Sequence, residues 1–259
     1  ASSTADDERE MDAEFYANPN NVVMPRYWVA EDEVIKTTSG NHKYKYFLGY
    51  RWIARSTDER TFISSITPLA GYGNSLPVIM SVNLISSNAC TFLANSSSYI
   101  FDYAVRQKLG GTNMTFGTTQ QLPFLKQNKY KNTDVDFIAL RVLELVYTAH
   151  DLAPFALDCG YDGRPFKWDE ERRFMIRCEL DAAYFHLYEI SRDDVDYIMD
   201  TFPITQRKDQ DKHGSYRTKK VILEIFDEMA EAIKTGKAYQ TNLDPPPGDA
   251  RAGHMASDV

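Results

Sequence analysis

The chain has 259 residues, a formal net charge of −8, and 43% hydrophobic and 13% aromatic residues. That is enough apolar material for the core of one large domain or two small ones, and it excludes a disordered chain. No apolar run approaches the roughly 18 residues that a membrane-crossing helix needs. The acidic, polar start from Ala1 to Glu10 does not read as a secretory signal or a transit peptide. The absence of an initiator methionine fits a piece of a longer polypeptide, and equally fits methionine removal before alanine.

Residues 1–24 read as an acidic, solvated lead-in. From Lys43 the chain alternates, with Tyr44, Tyr46, Leu48 and Tyr50 at the period of two that marks a strand. Trp52, Ile53 and Ala54 continue it to a polar cluster, Arg55-Ser-Thr-Asp-Glu-Arg60. A second β-rich run spans Thr61–Thr67 and stops at Pro68. The turn Gly71-Tyr-Gly-Asn-Ser75 leads into a third, Leu76–Val82. The period then changes: Phe92, Leu93, Ser96, Tyr99, Ile100, Tyr103 and Ala104 recur at three and four, which predicts one long helix over 88–108. Gly110-Gly111 is placed to end that helix, and a strand is expected over Thr115–Phe124.

The second half reads as helical. Helices are expected over Asp134–Ala153, Asp169–Tyr188 and Thr218–Lys237, each with apolar residues at helical spacing. Ser191 and Asp194 have the spacing of a capping box for a short helix between the last two. Residues 154–168 read as a loop, and from Gln240 the Pro-, Gly- and polar-rich tail reads as flexible. The predicted fold is α+β: a β-rich domain over 25–130 with one embedded long helix, a helical region over 131–240, and a tail over 241–259.

Cys90, Cys159 and Cys178 share no metal-ligand spacing, and their odd number argues against a disulfide framework. They read as thiols of a reducing, cytoplasmic protein. The five histidines are scattered, so no metal site is expected.

A net charge of −8 would argue against nucleic acid as a partner, but the average conceals a polarity. Residues 36–130 hold ten Lys/Arg against three Asp/Glu, a balance of +7, whereas residues 1–35 carry −7 and residues 131–259 carry −8. Distribution matters more than the mean for nucleic-acid contact. Within the cationic part, Arg51 and Arg55 would share one strand face, Arg60 follows the turn, and Thr57 and Thr61 can donate to phosphate. Arginine forks suit phosphate and guanine edges alike; the competing reading is that Asp58 and Glu59 neutralise these arginines locally. The second cationic segment holds Arg106, Lys108, Gly110, Gly111, Thr112 and Asn113. Here glycines would let backbone N–H groups approach an anion, although Arg106 and Lys108 also suit the carbonyl end of a helix. Gln120 and Gln121 either read adenine or flank an edge strand.

Catalytic signatures do not emerge. Asp244-Pro-Pro-Pro247 lacks the aromatic residue of an adenine-methylating motif, which must stack on a flipped base. Gly71-Tyr-Gly73 precedes a strand and opens no helix, so it is not a cofactor loop. Asp193, Asp194 and Asp196 lie where acids favour a helix start, and they do not form a metal cluster.

The segments R-W-I-A-R-S-T-D-E-R-T (51–61), L-A-N-S-S-S-Y-I-F-D-Y-A-V-R-Q-K-L-G-G-T (93–112), Q-L-P-F (121–124) and E-L-D-A-A-Y-F-H-L-Y-E-I-S-R-D-D-V-D-Y-I-M-D-T-F-P-I (179–204), in this order, carry a resemblance. Together they resemble the C-terminal target recognition region of large adenine-specific (N6) DNA methyltransferases of restriction–modification and phage-defence systems. The resemblance covers about residues 25–250. It implies a DNA target recognition domain over 25–130, followed by a helical region that braces it or contacts partners. It also implies a separate catalytic domain, in cis or in trans, which would bind S-adenosylmethionine. The implied partners are double-stranded DNA, that catalytic domain and other defence-system subunits; no catalytic residue transfers to this chain.

Overall fold

The computed structural model describes residues 11–24, 27–82 and 85–255. Three short strands, β1 (Tyr46–Tyr50), β2 (Ser64–Pro68) and β3 (Val78–Ile79), form an antiparallel sheet in the order β2-β1-β3. Every residue of β1 is buried, as expected of a central strand covered on both faces. Gly49 sits where a Cβ would lie 3.1 Å from the Pro77 carbonyl oxygen, so the close approach of the 76–77 backbone needs a glycine.

Helices surround this small sheet. Ahead of it come α1 (Ala13–Ala17) and α2 (Glu31–Thr38). After it follow α3 (Ser86–Ser97), α4 (Tyr99–Lys108), α5 (Phe116–Thr119), α6 (Asn132–Val146), α7 (Ala153–Asp158), α8 (Glu170–Leu187), α9 (Arg192–Asp200), α10 (Pro203–His213) and α11 (Arg217–Thr235). Mixed α and β content is therefore correct, but "β-rich" overstates strands of five, five and two residues.

The expected long helix over 88–108 is two helices. Ser98 takes extended backbone angles (φ −75°, ψ 152°), and its hydroxyl accepts from the Phe101 N–H while donating to the Asn95 carbonyl. A serine that caps a new helix start defeats continuation of the old one. Asp181, reaching across from α8, accepts from the Tyr99 N–H at 2.7 Å and completes the start of α4. The strand expected over Thr115–Phe124 is absent; Thr115 caps the four-residue α5 by accepting from the Thr118 N–H. Leu76–Val82 contributes only two strand residues, and Ile53 makes a single bridge to Asn113.

In the second half α8 and α11 fall close to their expected bounds, and Ser191 caps α9 as its spacing predicts, accepting from the Asp194 N–H. The helix expected to run to Ala153 stops at Val146, and α7 begins beyond it with Pro154 in its first turn, inside the expected loop. The helix α10 was not anticipated. It starts at Pro203 and ends at Gly214 in left-handed geometry (φ +71°).

One hydrophobic cluster runs from Tyr46 and Leu48 in the sheet through α3, α6 and α8 to Ile222 and Met229 of α11, crossing the boundary expected near residue 130. Buried ion pairs bind the helices. The Arg141 guanidinium of α6 meets Glu179 of α8 at 2.8 Å, and Glu179 also accepts from Tyr239 (3.0 Å) and Thr241 (2.5 Å). Arg172 of α8 pairs with Glu144 of α6 and donates to the Pro245 carbonyl. Gly248 donates its N–H to the same Glu144. The described tail, 240–255, is thus anchored on α6 and α8 by polar contacts that its composition does not announce. The lead-in is likewise docked: Tyr16 stacks on Trp168 at 3.9 Å and the His150 N–H donates to Pro19. Its first ten residues lie outside the described ones.

The three cysteines are free, with Cys90 and Cys159 sulfurs 3.9 Å apart. Among the described residues no group of three His, Cys, Asp or Glu is arranged to hold a metal ion, and no helix is long and apolar enough to cross a membrane.

Two outcomes follow from these buried charges. Glu179→Ala leaves the Arg141 guanidinium without its counter-ion and should cost about 3–5 kcal/mol in denaturant unfolding. Burial raises the Asp181 carboxyl to about 6. Because its folded value lies above its unfolded value, the folded chain takes up a proton in between. Stability should therefore fall as pH rises from about 4 to 6, by up to about 2–3 kcal/mol. Unfolding measured across that window should lose this component of the slope in Asp181→Asn.

Candidate nucleic-acid interface

The two cationic segments picked out by composition meet in space. The Ala54 N–H donates to the Thr112 carbonyl at 3.0 Å, and the Met114 N–H donates to the Trp52 carbonyl at 2.6 Å. These bonds lay residues 52–54 beside 112–114. The loop that follows, 55–62, is folded onto α4 by Asp102, a carboxylate with no exposure to solvent. Its oxygens accept from the Thr61 N–H (2.9 and 3.2 Å) and the Phe62 N–H (3.0 Å). They also face the Arg60 guanidinium at 3.4 Å and that of Arg106 at 3.6 Å.

Those contacts sort the candidate residues into two groups. Arg60, Thr61 and Arg106 are turned inward. Arg60 lies over the Tyr99 ring at 4.2 Å and donates to the Ser97 carbonyl at the end of α3. Arg106 lies over Phe202 at 4.1 Å and donates to the carbonyls of Asp58, Glu59 and Thr201. Both guanidiniums are occupied, so they brace the loop and do not offer a phosphate contact. Thr61 is 1% exposed.

Arg51, Arg55, Thr57, Lys108, Gly110, Gly111, Thr112 and Asn113 are exposed. Arg51 pairs with Asp58 at 3.1 Å, in a bridge 44% and 34% exposed on its two sides. Such a bridge contributes at most about 1 kcal/mol and can exchange its partner. Asp58 also accepts from the Arg55 N–H, and Glu59 pairs with Lys208 at 2.5 Å. The two acids therefore do engage cations, but they leave the Arg55 and Lys108 side chains without an ion pair among the described residues.

Gly110 and Gly111 do not end α4 through left-handed geometry. The extended Leu109 does so, and neither glycine has a positive φ or any atom within 4 Å of where a Cβ would sit. They leave the backbone after α4 open to solvent. Gln120 closes α5, and the Gln121 side chain donates to the Gly117 carbonyl. Sequence reasoning missed Phe116 and Ile53, which stand 63% and 56% exposed beside the cations, with Trp52 edge-on to Phe116 at 5.5 Å. Both had been assigned to strand continuations, which hid their exposure.

Asp102→Asn keeps the shape of the side chain but removes the charge that two guanidiniums share. It should lower stability by about 3 kcal/mol or more. Amide exchange at Thr61 and Phe62 should rise more than exchange at the buried β1 amides, reporting a released loop.

Comparison of the chain with protein-family models, with curated proteins and with solved structures finds no match.

Proposed function

We propose that this chain is the DNA sequence-recognition part of an adenine-N6 DNA methyltransferase of a restriction or phage-defence system, the catalytic domain and its S-adenosylmethionine site lying elsewhere. One observation carries the reading. Two segments some fifty residues apart lie side by side, and between them expose Arg51, Arg55 and Lys108 among hydroxyl, amide and glycine positions. Cations of this kind position a protein on a duplex through phosphates, while neighbouring polar and apolar groups meet base edges. The local charge of +7 over 36–130 and the motif order of the resemblance support the same reading.

Arg60 and Arg106 no longer belong to the contact set. With about three cations at phosphates, a four-fold rise in salt should weaken duplex binding by about 40-fold. Fluorescence anisotropy with a short duplex measures this directly. The Arg51→Glu, Arg55→Glu, Lys108→Glu triple variant should abolish binding with only a small change in Tm, since none of the three is buried and the Arg51–Asp58 bridge contributes at most about 1 kcal/mol. Binding that ignores salt, or that survives the triple charge reversal, would refute the reading.

A second reading, a module that docks other subunits of a defence complex, is favoured by the exposed apolar side chains before the sheet, where Met24 and Trp28 are 69% and 74% exposed. Under that reading the triple variant still captures its partner subunit while Met24→Ser with Trp28→Ser does not.

A further inference from the structure

A cavity of about 700 Å³ lies beside the Asp102 brace, whose Arg60 lines it, between β2, the α3–α4 junction, α6, α8 and α10. Its volume suits a ligand of roughly nucleotide size. Val142 and Val146 of α6 and Phe174 of α8 give it an apolar floor. Arg173 and Arg177, one turn apart on α8, share one wall.

These two arginines differ from the ion-paired buried cations of the molecule. Arg60, Arg106, Arg141 and Arg172 each face a carboxylate within 4 Å. Arg173 has no such partner among the described residues. Its guanidinium lies on the Trp168 ring at 3.6 Å and donates once, to the Leu145 carbonyl at 3.0 Å, while its Nε is shut off from solvent with no acceptor. Burial first, and the adjacent Arg177 second, lower its pKa to about 10. Arg177 is exposed and makes no ion pair among the described residues. A protein normally pairs a charge that it removes from water. Two like charges side by side on a cavity wall, one of them largely desolvated and attracted by Glu170 and Glu144 only from beyond ion-pair distance, leave a place for a closer counter-ion. Glu59, Asp181 and Asp209 also line the cavity, but Glu59 is paired with Lys208, Asp181 is engaged by the Tyr99 N–H and shared between the charges of Arg60 and Arg177, and Asp209 accepts from the Thr218 N–H.

We propose that this cavity binds a phosphate monoester of about nucleotide size, its dianionic group held between Arg173 and Arg177 and its organic part lying on the α6 floor. A dianion matches two cations, where a carboxylate would match one. Arginine forks donate to several phosphate oxygens at once. The proposal is independent of the DNA-recognition reading, because none of the exposed cations of that surface lines the cavity.

The test uses the full chain carrying the Arg51, Arg55 and Lys108 charge reversals, so that the duplex surface contributes nothing. Calorimetric titrations at constant ionic strength use inorganic phosphate, AMP, adenosine and a 5′-phosphorylated oligonucleotide with its unphosphorylated twin. Saturable binding of phosphate and AMP, but not adenosine, is expected. Arg177→Gln, at the exposed position, should weaken it by about ten- to a hundred-fold, as loss of one charge-assisted donor does. Arg173→Gln should abolish binding and leave the fold intact, since it removes an unpaired buried charge. Tighter binding of AMP than of the phosphorylated strand assigns the site to free nucleotides, and the converse order to strand ends. No saturable binding of phosphate or AMP up to about 10 mM, equal binding of adenosine, or unchanged affinity in Arg177→Gln would overturn the proposal.

Discussion

A carboxylate without contact to water must have its charge met from every side, and Asp102 meets that demand with groups drawn from two stretches about forty residues apart in the chain. The Thr61 and Phe62 N–H groups and the Arg60 guanidinium come from the loop after β1, and Arg106 comes from the next turn of the same helix. The cost of burying this charge is offset only when all of those partners are present together. The loop from 55 to 62 therefore has one position on α4. Because α4 leads straight into 109–114, the neighbourhood of the two exposed cationic segments is fixed by the same constraint. The bonds from Ala54 to Thr112 and from Met114 to Trp52 extend a placement that the carboxylate has already set.

This division of labour changes how the local excess of positive charge is to be understood. Some arginines here serve the fold, and because Arg60 and Arg106 take the buried carboxylate, Arg51 keeps only an exposed partner and Arg55 has no ion pair among the described residues. Arg60 and Arg106 neutralise Asp102, whereas Asp58 and Glu59 are met by Arg51 and Lys208 at the surface. Charge counted along the sequence thus exceeds the charge available to a ligand. The buried pairs also join the two halves of the chain: Arg106 reaches the Thr201 carbonyl at the end of α9, and Asp181 of α8 finishes the start of α4. The acidic, helical half thus supplies a carboxylate and a carbonyl that hold the cationic half against it.

What could be read in the sequence was what depends on neighbours in the chain. The apolar spacing of α8 and α11, the cap at Ser191 and the alternation around Tyr46–Tyr50 are local signals, and the structure places those elements close to their expected bounds. The break at Ser98 was also written locally, in Ser96-Ser-Ser98, but a continuous apolar stripe on either side outweighed it. The α5 turn was misread because threonine favours both strands and helix caps, and here the Thr115 hydroxyl decided for the cap. The helix α10 escaped because it buries only Thr205 and so shows no apolar period. The inward turn of Arg60 and Arg106 was not legible at all, since it depends on where Asp102 lies in space. Nor was the anchoring of the tail, which rests on Glu144 and Arg172, about a hundred and about seventy residues before it.

The loop and the cavity differ in the kind of positive charge each presents. Around the loop the cations are open to solvent, and Arg51 alone of them has an acidic partner, itself at the surface; such groups suit contacts that form and break along a polyanion. At the cavity, Arg173 lies on Trp168 and is largely cut off from water, with no carboxylate within 4 Å among the described residues. A fixed, desolvated cation has already met the cost of ordering and dehydration before any ligand arrives, so an anion that fits gains the full electrostatic benefit of a low-dielectric wall. Hydrated surface charge favours breadth of contact, and desolvated charge favours selectivity for one group of the right size. That physical difference, more than the count of basic residues, is why the two regions should answer to different anions.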